Sequence, residues 1–338
     1  MILVTGATGL VGTHLLVKLI KQNDTVRALY RSNTKKESAK KVFSFYFPEE
    51  KKYLFDQIDW VQADLNDIPK LTEAFEGVTH VYHCAAKISF NPSHYKELRK
   101  VNIEGTANIV NLCIIKKVKK LCYISSIATL GENLLNTPID EKAEWNPETT
   151  NSVYAITKYG AEMEVWRGVQ EGLNAVIVNP GIIIGPGFFN TGSGYLFKRI
   201  HAGMSYYTTG ITGFVAIQDV IAIIHQLMNG NYTNQRYILV GENLSYKNAF
   251  TKIAEALHKT PPKKKASPFL MKIAYYAQGI SYIFFRTNRS IFKSSIRSAF
   301  SITHYENDKV KKELMHTFYP IEKSIQETAT YFLNEQTF

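Results

Sequence analysis

The first twenty residues constrain the fold of this chain more than any other stretch. Mostly apolar residues at positions 1–5 run into glycines at positions 6, 9 and 12, and apolar residues from Leu10 to Ile20 then recur at helical spacing. This pattern predicts a buried strand, a tight turn and a helix. Because glycine lacks a Cβ atom, backbone N–H groups and the positive end of the helix can approach a pyrophosphate. We expect a dinucleotide-binding turn, although its G-x-x-G-x-x-G spacing differs from the usual G-x-G-x-x-G; a tight turn without a ligand is the alternative.

Strands alternate with helices over the first half of the chain. Short apolar runs at 25–30, 58–63, 80–84, 121–124 and 174–179 are separated by stretches of helical pattern. This alternation predicts an α/β fold, with a doubly wound parallel Rossmann sheet covered by helices on both faces. Ligands of such sheets bind at the carboxyl ends of the strands. The residues expected at these ends are Arg31, Asp64, Ala85 and Ser126.

Arg31 follows the second predicted strand, at the position that distinguishes NAD from NADP in dinucleotide folds. An acidic residue there binds the ribose 2′-hydroxyl of NAD, whereas an arginine accommodates the 2′-phosphate of NADP. The only acidic residue between Gly12 and Arg31 is Asp24, before the strand. We therefore expect NADP(H) as the preferred cofactor, with NAD(H) as the second choice. A solvated arginine without a ligand is the alternative interpretation.

Composition places the chain among ordinary globular proteins. Its 338 residues are 45% hydrophobic and 20% charged, which disfavours disorder and allows one large or two modest domains. The three cysteines, Cys84, Cys113 and Cys122, lack metal-ligand spacing, so we expect buried thiols in a reducing compartment and no metal site. The first residues carry no signal-peptide pattern, and we expect a cytoplasmic protein.

Tyr154 and Lys158 carry the sharpest chemical signal. Their i, i+4 spacing within a predicted helix at 152–170 places the phenol and the ammonium on one face. We expect the lysine cation to favour the phenolate and so to lower the pKa of the phenol, which helps proton transfer near neutral pH. As an isolated motif, an exposed pair on a helix is the commoner interpretation. The glycine turn, Ser126 and Asn102 favour the catalytic one.

The motifs of this chain occur together in an order that resembles the extended short-chain dehydrogenase/reductases, the NAD(P)-dependent epimerase/dehydratase-like proteins. The resemblance is greatest to their dihydroflavonol-reductase-like and hydroxysteroid-dehydrogenase-like branch, and it covers roughly residues 1 to 330. The motifs are Thr5-Gly6-x-x-Gly9-x-x-Gly12, Asp64-Leu65, His83-x-Ala85-Ala86, Asn102 with Gly105-Thr106, Tyr123-Ile124-Ser125-Ser126, Tyr154-x-x-x-Lys158 and Asn179-Pro180-Gly181-x-x-x-Gly185-Pro186.

This resemblance implies roles for particular residues. Tyr154 would be the general acid/base, and Lys158 would lower its pKa and bind the nicotinamide ribose. Ser126, rather than Ser125, would hold the substrate oxygen, and Asn102 would support a water relay to Lys158. The implied cofactor contacts are Gly6, Thr8, Gly9, Leu10, Val11, Gly12, Arg31, Asp64, Leu65, Ala85, Ala86, Lys87, Tyr154, Lys158, Pro180 and Ile183.

The resemblance also implies a domain organisation. Residues 1–180 would form the NAD(P)-binding Rossmann domain, with a strand and a helix near 214–245 returning to it. Residues 181–338 would form most of a smaller, mainly helical substrate-binding or cap domain. Asp219, at the start of the returning helix, is expected to cap that helix through His225 rather than to react. A homodimer through the helices of Asn102 and Tyr154 is typical of the family.

Positive charge concentrates late in the chain. Lys and Arg number 40 against 29 Asp and Glu, and no acidic residue occurs from 256 to 305. An apolar stripe at 269, 273, 276, 280 and 284 predicts a helix, shorter than the ~20 apolar residues that a membrane span requires. We favour a cap helix over the active site; peripheral membrane contact through 263–297 is the alternative. No nucleic-acid-reading motif accompanies the charge, so we expect no nucleic-acid partner.

Together these features predict an NADP(H)-dependent oxidoreductase. It would reduce a carbonyl, or oxidise a secondary alcohol, of a small and largely apolar substrate. A nucleotide-sugar epimerase or dehydratase and a non-catalytic dinucleotide-binding protein are the alternatives. Dehydratases of this family usually carry an acidic pair after the active-site hydroxyl, where this chain has Ile127 and Ala128.

Overall fold

A seven-stranded parallel sheet forms the centre of this computed structural model, which describes residues 1–47, 49–131, 137–285 and 291–336. Every neighbouring pair of its strands is parallel, in the order β10-β6-β5-β4-β1-β2-β3. All seven carboxyl ends therefore lie along one edge. Numbered along the chain, the strands are β1 Ile2–Thr5, β2 Val26–Tyr30, β3 Asp59–Gln62, β4 His80–His83, β5 Lys120–Ile124, β6 Ala175–Pro180 and β10 Gln235–Leu239.

Helices cover both faces of this sheet, because alternate strand residues point to opposite sides. Val4 packs into one apolar cluster with α1 and α8, and Leu3 packs into another with α5 and α6. The predicted doubly wound α/β fold is thereby confirmed. The helices are α1 Leu10–Lys21, α2 Asn33–Tyr46, α3 Ile68–Ala74, α4 Tyr95–Leu98, α5 Gly105–Ile115, α6 Val153–Gln170, α7 Gly194–His201, α8 Ile217–Asn229, α9 Tyr246–Ala256, α10 Pro268–Phe285, α11 Lys293–Phe300, α12 Asp308–Leu314 and α13 Ile321–Gln336.

The helical stretch from α4 to α5 is interrupted. A π-helical segment, Arg99–Glu104, separates α4 from α5 and contains the buried Asn102. Single π-helical turns inside α-helices are frequent at functional sites. The interruption therefore indicates that Asn102 belongs to a functional site.

Strands in the described second half of the chain belong to three sheets, of which the smallest is the pair formed by residues 206–207 and 264–265. Strand β10 joins the central sheet, and helix α8 packs against it. Strand β9 instead pairs with β7 and β11 in a separate three-stranded sheet. The division into domains at residue 180 stays a prediction. The short strands are β7 Ile182–Ile184, β8 Tyr206–Tyr207, β9 Ile211–Ala216, β11 Glu242–Ser245 and β12 Lys264–Lys265.

The expected pairing of Asp219 with His225 is wrong. The buried Asp219 carboxylate accepts a hydrogen bond from the Tyr319 backbone N–H at 2.9 Å and lies 2.9 Å from Nε2 of His316. His225 contacts Asn229, one helical turn further along. Asp219 therefore ties α8 to the loop before α13, a contact between residues about a hundred positions apart in the chain.

Among the described residues, no helix is long and apolar enough to cross a membrane. Cys113 and Cys122 are buried and Cys84 is partly buried, all three as free thiols. Burial raises the pKa of each thiol, to about 12 for Cys84. These thiols stay protonated at neutral pH.

Candidate active site

The glycine turn requires glycine at two of its three positions. Gly6 has a φ of +63°, and a Cβ atom there would lie 2.6 Å from the backbone of Ala85, just beyond β4. A Cβ atom on Gly12 would lie 2.3 Å from the carbonyl oxygen of Gly6. The turn is therefore packed too tightly for side chains, which leaves its backbone open to a ligand. Thr8 and Gly9 in the turn, and Leu10 and Val11 at the start of the following helix, are partly exposed.

Helix α1 begins at Leu10, directly after this turn, and its first turn contains no acidic residue. Its N-terminal N–H groups and the positive end of the helix dipole consequently face the carboxyl edge of the sheet. This cradle fits the pyrophosphate of a dinucleotide.

A basic group lies at the end of β2. Arg31 lies 3.8 Å from the Asp64 carboxylate, and both side chains are about half exposed. Partial burial lowers the pKa of Lys35, and the charges of Arg31 and Lys87 add to that shift. Three cations thus share this region with the start of α2. Lys35 was not among the predicted site residues, although it lies four positions after Arg31.

A chain of hydrogen bonds links the glycine turn to the π-helical segment. The His83 ring lies between the hydroxyls of Thr5, at 2.6 Å, and Thr106, at 2.9 Å. Thr106 in turn donates to the Asn102 carbonyl at 2.5 Å. Burial and the nearby Lys158 charge lower the pKa of His83 to about 3, so its ring is neutral.

Asn102 holds two parts of the site in place. Its Oδ1 accepts a hydrogen bond from the Lys87 N–H at 2.8 Å, and its Nδ2 donates to the Lys87 carbonyl and to the Thr157 hydroxyl, both at 3.1 Å. These contacts join the loop after β4 to α6. The side chain is thus engaged by protein groups, and the water relay that the resemblance implies stays a prediction.

Tyr154 and Ser126 meet at the carboxyl end of β5. Ser126 precedes a short 3₁₀ turn, Ile127–Thr129, and its side chain lies close enough to the Tyr154 phenol to lower the pKa of that phenol. The ring of Phe90 lies edge-on to Tyr154, with centroids 5.7 Å apart. A hydroxyl and a phenol therefore share one location, next to an apolar side chain.

The pKa of Tyr154 departs from the expectation. Burial raises it to about 12, and the nearby Ser126 side chain only partly offsets that rise. Lys158 was expected to lower it. In the structure, the Lys158 ammonium instead donates to the Tyr123 hydroxyl and to the Ile124 carbonyl, both at 2.7 Å.

Lys158 is 1% exposed and lies over the Tyr123 ring, with Nζ 4.3 Å from the centroid. Burial lowers the pKa of Lys158 to about 7, although the charge of Glu162 acts in the opposite direction. Near neutral pH the lysine is thus poised between its charged and neutral forms.

A buried carboxylate organises the segment around Ser126. Glu162 Oε2 accepts hydrogen bonds from the hydroxyls of Ser125 at 2.6 Å and Thr129 at 2.9 Å, and from Asn179 Nδ2 at 3.0 Å. Its Oε1 lies 3.4 Å from the Arg236 guanidinium. Ser125 is therefore occupied by Glu162, while Ser126 faces the phenol. Glu162 was not predicted, yet its position one turn beyond Lys158 on the same helix face could have indicated it.

The remaining predicted contacts are spread along the same edge of the sheet. Leu65 packs against Gly105, and Ala86 is exposed. Pro180 ends β6, and the Ile183 carbonyl in β7 accepts a hydrogen bond from Ser193. The structure thus places one group of predicted site residues along the carboxyl edge of the central sheet: the glycine turn, Arg31, Asn102, Ser126, Tyr154 and Lys158.

Residues 2–241 match the model of the NAD dependent epimerase/dehydratase family. The chain belongs to that family. Family membership confirms the resemblance found in the sequence, and it makes this chain an NAD(P)-dependent enzyme of the extended short-chain dehydrogenase/reductase type.

Members of the epimerase/dehydratase family resemble the chain along its whole length. A putative dihydroflavonol 4-reductase from a Synechocystis species is 26% identical, over 98% of this chain and 94% of that protein. Sterol demethylase protein B from Methylococcus capsulatus is 27% identical over 92% of each chain. The UDP-glucose 4-epimerase of Thermus thermophilus, solved in complex with NAD, has a TM-score of 0.74 and 20% identity over 98% of each chain. The structural likeness shows a shared fold.

Proposed function

We propose that this protein is an NADP(H)-dependent oxidoreductase that reduces the carbonyl of a small, largely apolar substrate, or oxidises the corresponding secondary alcohol. The observation that carries the proposal is that the Ser126 side chain lies beside the Tyr154 phenol, at the carboxyl end of β5, and lowers the pKa of that phenol. Lys158 lies one helical turn away, and the glycine turn shares the same edge.

The residues present fit the cofactor. The glycine turn and the start of α1 would hold the pyrophosphate, and Arg31 with Lys35 would face the 2′-phosphate of NADP(H). When bound, NADPH supplies the hydride. Two neighbouring cations, Arg31 after β2 and Lys35 in the first turn of α2, support NADP(H) over NAD(H), since only NADP(H) carries the negatively charged 2′-phosphate.

Tyr154 serves as the proton donor in the reduction. With its pKa raised to about 12, the phenol remains protonated at neutral pH and can give its proton to the carbonyl oxygen. The Ser126 hydroxyl donates a hydrogen bond to that oxygen and keeps it beside the phenol. The phenolate left behind then takes a proton from solvent. Lys158 would support the phenolate only if its ammonium exchanged Tyr123 and Ile124 for the phenol oxygen. Asn102 acts as a positioning residue, through Lys87 and Thr157.

Apolar side chains next to Tyr154 support an apolar substrate. Phe90 is in edge contact with the phenol, and Phe90 and Ile88 are both exposed on the loop after β4. Exposed apolar side chains beside polar reacting groups are typical of small-molecule sites. We propose that these two residues contact the part of the substrate next to its carbonyl.

Tyr154→Phe tests the proposal. Removal of the phenol hydroxyl should lower the turnover of a carbonyl panel, followed at the nicotinamide absorbance, by about 100-fold or more, because general acid catalysis contributes about 10²–10⁴. NADPH affinity should remain nearly unchanged. Tyr159→Phe is the matched control, since Tyr159 lies on the same helix and stacks on Trp145 with centroids 4.6 Å apart. Unchanged turnover in Tyr154→Phe would refute the proposed role.

The same assays separate the alternatives. An epimerase would retain its cofactor and recycle it within one turnover, so no net NADPH oxidation would accompany product formation. A non-catalytic dinucleotide-binding protein would bind NADPH but would not oxidise it with any carbonyl of the panel. Ile127 and Ala128 after the active-site serine disfavour a dehydratase.

We further propose a cytoplasmic location, a division into two domains near residue 180, and a homodimer through α5 and α6.

A further inference from the structure

Helix α10 turns an apolar face outward. Phe269 is 74% exposed, Tyr276 64%, Ile273 49% and Leu270 40%. At 100° per residue these four side chains share one side of the helix. The apolar stripe that the sequence predicts therefore does not pack onto the protein at 269, 273 and 276. The side chains at 279–285, and residues 286–290, lie outside the described part of the chain.

The opposite side of α10 makes the contacts with the protein. Met271, Ala274 and Tyr275 are less exposed than their neighbours, and the Gln278 side chain accepts a hydrogen bond from the Ile291 N–H at 3.1 Å. These contacts direct α10 against α11, which follows it in the chain. The helix is thus held by its more weakly apolar side, while aromatic and aliphatic side chains face solvent.

Positively charged residues flank α10 in the chain on both sides. The stretch from 256 to 305 contains nine Lys or Arg and no Asp or Glu. Three of the lysines precede α10, one lies within it and one begins α11, all with exposed side chains: Lys263, Lys264, Lys265, Lys272 and Lys293. The outward apolar face of α10 is therefore accompanied by exposed lysines before, within and after the helix, which are called its cationic rim below.

We propose that the outward face of α10 and its flanking lysines bind the surface of a lipid bilayer that contains anionic lipids. An apolar helix face inserts at the boundary between headgroups and acyl chains, and lysines at its border attract anionic headgroups. Aromatic residues such as Phe269 and Tyr276 are suited to this boundary. The charge of the rim argues against a second copy of the chain as the occupant, because two like-charged rims would repel each other.

Vesicle sedimentation tests this inference with the full chain. We expect the protein to sediment with vesicles of phosphatidylcholine and phosphatidylglycerol, and far less with phosphatidylcholine alone. Raising salt from about 0.1 M to about 1 M shortens the screening length from about 10 Å to about 3 Å and should release the protein. The variant Phe269→Ser/Ile273→Ser/Tyr276→Ser should bind anionic vesicles at least about tenfold more weakly than the unaltered protein.

A control variant, Tyr53→Ser/Ile68→Ser, removes exposed apolar side chains elsewhere on the chain and should bind like the unaltered protein. Urea midpoints of both variants report whether they fold normally, independently of any catalytic activity. Equal binding by the triple variant and the unaltered protein would overturn the inference. Binding that does not depend on lipid charge would also overturn it. So would a result in which the unaltered protein binds no vesicles and the triple variant instead loses self-association or substrate affinity.

Discussion

Lys158 should make the stability of the protein depend on pH in a way that reveals its buried environment. Burial lowers its pKa to about 7 in the folded protein, whereas a lysine in the unfolded chain titrates near ~10.4. Between these two values the unfolded state binds a proton that the folded state lacks. The free energy of unfolding therefore rises with pH across that window.

The magnitude follows from the two pKa values. Full charging of the folded-state lysine costs about 4–5 kcal/mol below about pH 6, where the contribution is flat. This cost falls by about 2 kcal/mol between about pH 7 and pH 9 as the folded lysine loses its proton. Lys158→Met keeps most of the length of the side chain and removes the titrating amine. The loss of its hydrogen bonds to Tyr123 and Ile124 changes stability by an amount that varies little with pH.

Urea unfolding of both proteins from about pH 6 to about pH 9 measures the difference, since other titrating groups cancel between them. The free energy of unfolding of the unaltered protein, relative to that of Lys158→Met, should rise by about 2 kcal/mol between about pH 7 and about pH 9. Because the measurement requires neither substrate nor cofactor, it reports on the buried lysine alone. A difference that does not change with pH would show that Lys158 keeps its charge when folded and would refute the reasoning.

Three further changes probe the cofactor cradle and the buried carboxylate. Arg31→Ala should weaken NADPH binding by about 10- to 100-fold and NADH binding far less, as expected for about 1.5–3 kcal/mol per charged hydrogen bond; Lys36→Ala, whose cation lies over Tyr30, is the control in fluorescence titrations. Gly12→Ala places a Cβ atom 2.3 Å from an oxygen of the turn, so the thermal shift with NADPH should disappear; a full shift would contradict the tight packing. Glu162→Gln leaves buried donors without a carboxylate and should cost about 3–5 kcal/mol in urea unfolding, and a loss below about 1 kcal/mol would show that the network is not coupled.

Much of the fold could be predicted because its signals are local. The strand, glycine turn and helix of the first twenty residues follow from apolar spacing and from the conformational freedom of Gly6. The alternation of strands and helices then required a parallel sheet, and that requirement placed Arg31 and Ser126 at its carboxyl edge. The preference for Ser126 over Ser125 came from the resemblance alone. The structure provides a physical reason, since Ser125 is bonded to Glu162.

Other features of the site could not be predicted from the sequence because they depend on contacts between distant residues. The i, i+4 spacing of Tyr154 and Lys158 predicts a lowered phenol pKa. Burial reverses that direction, since it disfavours the charged form of each group. Asp219 was paired with a neighbour on its own helix, whereas its partners lie in the loop before α13.

The sequence by itself determined the strand–turn–helix order, the family and the residue types available for hydride and proton transfer. These depend on backbone freedom and side-chain chemistry, which each short segment carries with it. Only the tertiary structure decided which groups meet, how far each is buried, and that α10 turns its apolar face outward. Burial and electrostatic environment arise from packing between segments far apart in the chain, so no local pattern encodes them.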